Sequence, residues 1–190
     1  MSNIELNKKL KLLIELYNRG KFQDVLSKGN TIKSKFPRSL IIYNILGASN
    51  TGLKKYSDAI NCYNEALKID DSLPDTYNNI GVAYQKKGDQ QMAIKNFEKA
   101  IKLKSDYPEA YNNLGISFKK IRKYKYSLDN YSKAILIKPN FYEAYFNLGA
   151  VLYELGDYEK SLKNYQKAII IKPDYHEAYY NMCAVLPNIT

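Results

Sequence analysis

Hydrophobic and polar positions alternate along the chain in two helical stripes separated by short polar interruptions. In YNNIGVAYQKKGD, Tyr77 to Asp89, the residues Tyr77, Ile80, Gly81 and Tyr84 recur at three- and four-residue spacing, and Ala93, Phe97 and Ala100 do the same in the segment that follows. A period near 3.6 predicts two helices, each turning one face to a core. Gly88-Asp89, and Gly156-Asp157 further on, interrupt the stripes as tight turns.

The same pattern is rewritten at a fixed interval. YNNLGISFKKIRK begins at Tyr111 and YFNLGAVLYELGD at Tyr145, each 34 residues after its predecessor. Without gaps this defines repeats at 6–39, 40–73, 74–107, 108–141 and 142–175 and a half-repeat at 176–186, with 1–5 and 187–190 as termini. A strict period of this size predicts one array of stacked units, because a lone helix pair cannot bury its own apolar faces.

Local signals follow the period. Gly47, Gly81, Gly115 and Gly149 are expected to face Ala66, Ala100, Ala134 and Ala168, so that paired helices approach closely. Ser72, Asp106, Asn140 and Asp174 are expected to cap the first helix of their units, each with an acid three residues later (Asp75, Glu109, Glu143, Glu177), as in a capping box. Pro74 and Pro108 suit early helix positions, and Pro139 and Pro173 close the helix before them.

These residues resemble the tetratricopeptide (TPR) repeat. Its pattern of an aromatic, Leu-Gly, an aromatic, Ala and Phe is matched by Tyr77, Ile80, Gly81, Tyr84, Ala93 and Phe97. It recurs in Tyr111, Leu114, Gly115, Phe118, Ser127, Tyr131 and Pro139, and in Tyr145, Leu148, Gly149, Leu152, Ser161, Tyr165 and Pro173. The second repeat has Asn50 at the second aromatic position, and the first has Lys9, Leu13 and Gly29 where an aromatic, Gly and an aromatic are expected, a departure suited to a solvated end. The resemblance implies an all-α fold: a right-handed α-solenoid of five helix pairs plus the C-terminal half-repeat.

Composition changes this picture little. Of 190 residues, 45% are hydrophobic, as a folded chain requires. The net charge of +10 raises the question of nucleic acid, but the 29 cations include only three arginines, Arg19, Arg38 and Arg122, and phosphate and base recognition draws on arginine's planar fork. No specific nucleic-acid partner is expected. The opening MSNIELNKKLKLLIELYNRG has charges through its apolar cluster and no small-residue cleavage site, so no signal peptide is expected, and no apolar run suggests membrane insertion. Cys62 and Cys183 are isolated, which favours a reducing cytoplasm, and Cys183 is expected to be packed inside.

Candidate chemistry is sparse. His176 is the sole histidine and no nucleophile is tied to it by motif. The glycines follow the 34-residue period and do not cluster into a phosphate loop. No catalytic residues, metal site or cofactor are expected. What remains is a second face on the first helix of each repeat, which in TPR proteins lines the inner groove. It carries Asn79, Asn113, Asn147 and Asn181 at one register and Asn44, Asn78 and Asn112 one residue earlier. Each amide offers a donor and an acceptor to the backbone of an extended peptide. The column resembles that of the TPR arm of O-linked N-acetylglucosamine transferases, while asparagine is also an ordinary occupant of half-exposed helix surface.

Lys86, Lys119 and Lys120 add charge beside the column, and Phe146, Tyr153 and Tyr180 add aromatic surface, which suits a segment acidic at one end and apolar at the other. Chaperone-adaptor TPRs open their carboxylate clamp with a Lys/Asn pair. The corresponding positions here read Leu10/Ile14, Asn44/Ala48, Asn78/Val82 and Asn112/Ile116, so chaperone tails are not expected to bind. The expectation is a non-catalytic interaction scaffold with a protein or peptide partner. The alternative is the substrate-recruiting region of a larger, glycosyltransferase-like enzyme whose chain continues past Thr190. Helix 176–186, with Met182, Cys183, Val185 and Leu186 on faces a further helix would cover, adds self-association as a third reading.

Overall fold

The structure, a computed structural model, describes residues 3–189; of the expected termini, residues 1, 2 and 190 lie outside it. Among the described residues there are eleven α-helices, one short 3₁₀ turn and no strand. The helices are α1 (Asn3–Asn18), α2 (Phe22–Lys35), α3 (Leu40–Gly52), α4 (Tyr56–Ile69), α5 (Pro74–Lys87), α6 (Gln90–Leu103), α7 (Pro108–Lys120), α8 (Tyr124–Ile137), α9 (Tyr142–Glu154), α10 (Tyr158–Ile171) and α11 (His176–Val185). None is long and apolar enough to cross a membrane. The fold class is an all-α solenoid, in two compact units: residues up to Leu103, holding α1 to α6, and residues from Lys104, holding α7 to α11.

The glycines do not face the alanines. A side chain added at Gly47 would meet the Tyr63 ring at 2.5 Å, at Gly81 the Phe97 ring at 2.5 Å, at Gly115 the Tyr131 ring at 2.6 Å and at Gly149 the Tyr165 ring at 3.0 Å. In each pair a fully buried aromatic ring from the second helix lies in the notch that glycine leaves on the first. Ser127 and Ser161 tie the same pairs by donating 2.8 Å hydrogen bonds to the carbonyls of Gly115 and Gly149.

The first repeat obeys the same rule with its members exchanged. Leu13, at the glycine register, is fully buried, and Gly29, at the aromatic register, lets Leu46 and Leu13 come against α2, with an added Cβ only 2.7 Å from Leu46. The exchange conserves volume, so this repeat departs from the pattern by compensation and not through exposure.

The expected caps are corrected. Ser72, Asp106, Asn140 and Asp174 stand one residue too early, and the positions before α5, α7, α9 and α11 are Leu73, Tyr107, Phe141 and Tyr175, none with a side-chain cap. Burial of Tyr107 and Phe141 fixes the chain's entry there. The acids stay in the first helical turn, where they favour the helix dipole. True caps sit on second helices: Asp89 Oδ1 accepts from the Met92 amide at 3.0 Å, and Asp157 Oδ1 from the Lys160 amide at 3.2 Å. Cys183 is exposed, not packed inside, because Val185 is the residue that α11 buries near its end.

The ring-in-notch contact predicts a graded response. Gly115→Ala should cost about 1–3 kcal/mol through overpacking. Gly149→Ala, whose added methyl has the widest clearance, should cost less, since alanine's helix propensity returns up to about 1 kcal/mol. Urea unfolding followed by circular dichroism checks the order.

Candidate functional site: two equivalent inner-face pockets

Within the first unit α1 packs on α3 and α3 on α5, whereas α2, α4 and α6 make no close approach to one another among the described residues. In the second, α7 packs on α9 and α9 on α11, while α8 and α10 stay apart. Helices that touch on one side and splay on the other leave each unit with an inner face made of its odd-numbered helices.

A pocket of 410 Å³ opens on the first unit's inner face. Tyr17 of α1, Thr51 of α3, Lys54 of the turn, Tyr63 of α4 and Asn79 and Lys86 of α5 line it. A pocket of 440 Å³ opens in the second unit, lined by Lys119 and Lys120 of α7, Arg122 of the turn, Tyr131 of α8 and Asn147 and Glu154 of α9. These linings are one set of positions read 68 residues apart: Thr51 with Lys119, Lys54 with Arg122, Tyr63 with Tyr131, Asn79 with Asn147 and Lys86 with Glu154. Tyr56 and Tyr124 correspond as well. A smaller pocket of 250 Å³ shares Lys119 and Glu154 with the second and adds Tyr153, Tyr165 and Asn181.

The 410 and 440 Å³ pockets are both cationic. The first holds Lys54 and Lys86 with no acid on its wall; in the second, three cations stand against the Glu154 carboxylate, which also leaves two positive charges. Glu154 is already engaged, with Lys119 Nζ 3.0 Å from its Oε1 and the Tyr124 hydroxyl bonded to it. Burial pushes this carboxyl up, but the Lys119 and Tyr124 hydrogen bonds and the nearby cations outweigh it and hold it below 4.5. Burial pushes the Tyr63 phenol up to about 12, and it raises Tyr131 and Tyr165 too, so these hydroxyls keep their protons and can donate.

The asparagines divide by register. Asn44 is half-buried and accepts from the Thr76 hydroxyl at 3.1 Å. Asn78 and Asn112 are buried, and Asn112 Oδ1 accepts from Asn147 Nδ2 at 3.0 Å. Asn44 and Asn112 are thus engaged with the following repeat of their own unit. Asn79, Asn147 and Asn181 line pockets, the last donating to the Tyr165 hydroxyl at 3.5 Å, and Asn113 is half-buried and engaged. Lys86, Lys119, Lys120 and Tyr153 are brought to the pockets, whereas Phe146 packs on Tyr165 and Tyr175, and Tyr180 stands 78% exposed away from them.

Lys54, Tyr63, Arg122, Tyr124, Tyr131 and Glu154 were not read from the sequence as inner-face residues. The 34-residue register holds the signal for two of them. Gly20, Gly88 and Gly156 take the left-handed turn position at φ of 70°, 96° and 79°, and Lys54 and Arg122 occupy the same register at φ 59°. A side chain there is strained, and both strained side chains are cations on pocket walls.

Family models for the TPR repeat match residues 52–88 and 123–156, and the tetratricopeptide repeat model matches 74–107 and 142–175. Among curated proteins, no sequence matches the chain significantly. Solved structures of similar fold include MamA, at TM-score 0.75 and 23% identity over 86% of this chain and 95% of that one. YrrB, described as a TPR protein with an unusual peptide-binding site, aligns at 0.71 and 20% over 94% of each chain. TTC0263, a thermophilic TPR protein of Thermus thermophilus, aligns at 0.76 and 15% over 95% and 98%.

Lys54→Gly and Arg122→Gly should each stabilise by a few tenths to about 1 kcal/mol, the relief of left-handed strain less glycine's extra unfolded-state entropy. Thermal melts check this. Because the folded Glu154 carboxyl lies below 4.5, its contribution is full above that pH and fades as pH falls through the lowered value. Glu154→Gln should therefore cost about 0.5 kcal/mol near neutrality, the size of a half-exposed pair, and nothing in acid, as urea titrations at a series of pH values would show.

Proposed function

The chain belongs to the tetratricopeptide repeat family, a class of protein-interaction scaffolds, and from that premise we propose that it holds an extended peptide segment of a partner protein on its inner faces. The observation that carries this reading is the recurrence of one pocket in both units, with asparagine, tyrosine and lysine converging on each. A segment in extended conformation presents backbone N–H and C=O groups at regular intervals. Asn79 supplies an amide that pairs with either, while the tyrosine walls cover apolar side chains and the lysines favour acidic ones. Backbone pairing by amides supplies affinity without demanding a particular side chain, and the pocket charges then select among segments. YrrB, of similar fold, is described as having a peptide-binding site, which agrees with this use of the architecture.

Selection of peptides from a random phage library on the intact chain tests the reading. The selected peptides should bind with about tenfold lower affinity to Asn79→Ala, the loss of one or two good hydrogen bonds, while the circular dichroism melt stays unchanged. Peptides that bind Asn79→Ala and Asn147→Ala as tightly as the parent chain would place the interaction elsewhere.

A further inference from the structure

The 250 Å³ pocket is a third reading of the register that builds the 410 and 440 Å³ pockets. Ala150, Tyr153, Glu154, Tyr165 and Asn181 stand 34 residues after Ile116, Lys119, Lys120, Tyr131 and Asn147 of the 440 Å³ pocket. The chemistry changes at four registers. The turn cation, Lys54 or Arg122 in the other two pockets, becomes Gly156, which has no side chain to offer. Lys120 becomes Glu154, whose carboxylate lies 3.0 Å from Lys119, so the wall carries no net charge. Thr51 or Lys119 becomes Tyr153. The register that reads Ala48, Val82 and Ile116 in the earlier repeats becomes alanine twice in succession, at Ala150 and Ala184.

These changes turn a cationic pocket into an open apolar slot. Tyr153 is 38% exposed, and its ring is held by Tyr158 with centroids 5.6 Å apart, so it presents a fixed wall within a partner's reach. Ala184 is exposed and Ala150 half-buried, which leaves a floor of two methyl groups between α9 and α11, with the buried Tyr165 behind them. A larger residue on that floor, as at Val82 or Ile116, would fill the space. A flat ring entering the slot gains from offset or edge contact with Tyr153 beyond the burial of its area, a gain that a branched aliphatic group does not share. A carboxylate finds no uncompensated cation on this wall.

We propose that the 250 Å³ pocket is a subsite for an aromatic side chain of the partner segment, with Tyr153 as its wall and Ala150 and Ala184 as the residues that set its size. The proposal rests on the peptide-binding reading above and names the side chain that the C-terminal end of the second unit selects. Asn181, on the same pocket, is left to hold the segment's backbone while the ring is seated. The 440 Å³ pocket is the internal contrast, since it shares Lys119 and Glu154 but has Ile116 on its floor and Arg122 on its wall.

The test is a two-dimensional amide NMR titration of the whole chain with three probes: N-acetylphenylalanine methylamide, N-acetylleucine methylamide and N-acetylglutamate methylamide. The phenylalanine probe should shift the amides of Ala150, Tyr153 and Ala184, the leucine probe should bind there about threefold or more weakly, and the glutamate probe should leave them unmoved. Ala184→Ile, which restores the bulk found at Ile116, should weaken the phenylalanine probe about tenfold, while the thermal melt stays close to the parent's because Ala184 is exposed. Tyr153→Phe should keep the affinity, and Tyr153→Thr, which removes the ring, should lose about tenfold. Unmoved amides at these three positions, equal affinity for the leucine probe, or full affinity in Ala184→Ile would overturn the proposal. Peptides from the phage selection that show no aromatic preference would remove this subsite and leave the scaffold reading standing, whereas binding of the phenylalanine probe without any selected peptide would keep the pocket and remove the extended-segment reading.

Discussion

Each helix pair from the second repeat onward depends on one contact, a planar ring lodged against a backbone that carries no side chain. Tyr63, Phe97, Tyr131 and Tyr165 lie where the Cβ of residue 47, 81, 115 or 149 would otherwise be. The contact brings the two helices within reach of each other's backbone, close enough for Ser127 and Ser161 to bond glycine carbonyls across the pair. Leu13 and Gly29 show that the requirement is for volume and not for residue type, since the first repeat meets it with the large and small members exchanged.

The same contact aims the ring. Three of the four rings are tyrosines, and each stands among the residues that line an inner-face pocket. Packing thus brings a tyrosine beside each of three pockets, at positions whose sequence signature is purely that of a core aromatic. The residue beside the ring differs, Thr51 in the second repeat and Lys119 in the fourth, whereas Asn79, Asn147 and Asn181 hold one register unchanged. A threonine beside the ring in the second repeat and a lysine held by Glu154 in the fourth give one scaffold chemically different stations.

Charge follows the turns. Five turns require a left-handed residue, three use glycine, and Lys54 and Arg122 place a cation there at a cost in backbone strain. Both exceptions fall on the repeats whose inner-face pockets are the larger, so strain and site coincide twice in one chain.

The 34-residue period and the apolar stripes determined the helix pairs, their turns and the all-α class, because periodicity and burial are properties of the sequence read one helix at a time. Asn79, Asn147, Lys86 and Lys119 were legible as inner-face residues for the same reason. The caps were misplaced because Leu73, Tyr107, Phe141 and Tyr175 enter their helices as apolar anchors, a choice made by neighbouring packing. Asn44 and Asn112 bond to residues of the following repeat, Thr76 and Asn147, an engagement that one helix stripe does not record. Only the tertiary structure decided that Lys119 turns to Glu154 and Asn147 to Asn112, because that is a matter of distances between helices that no single stripe records.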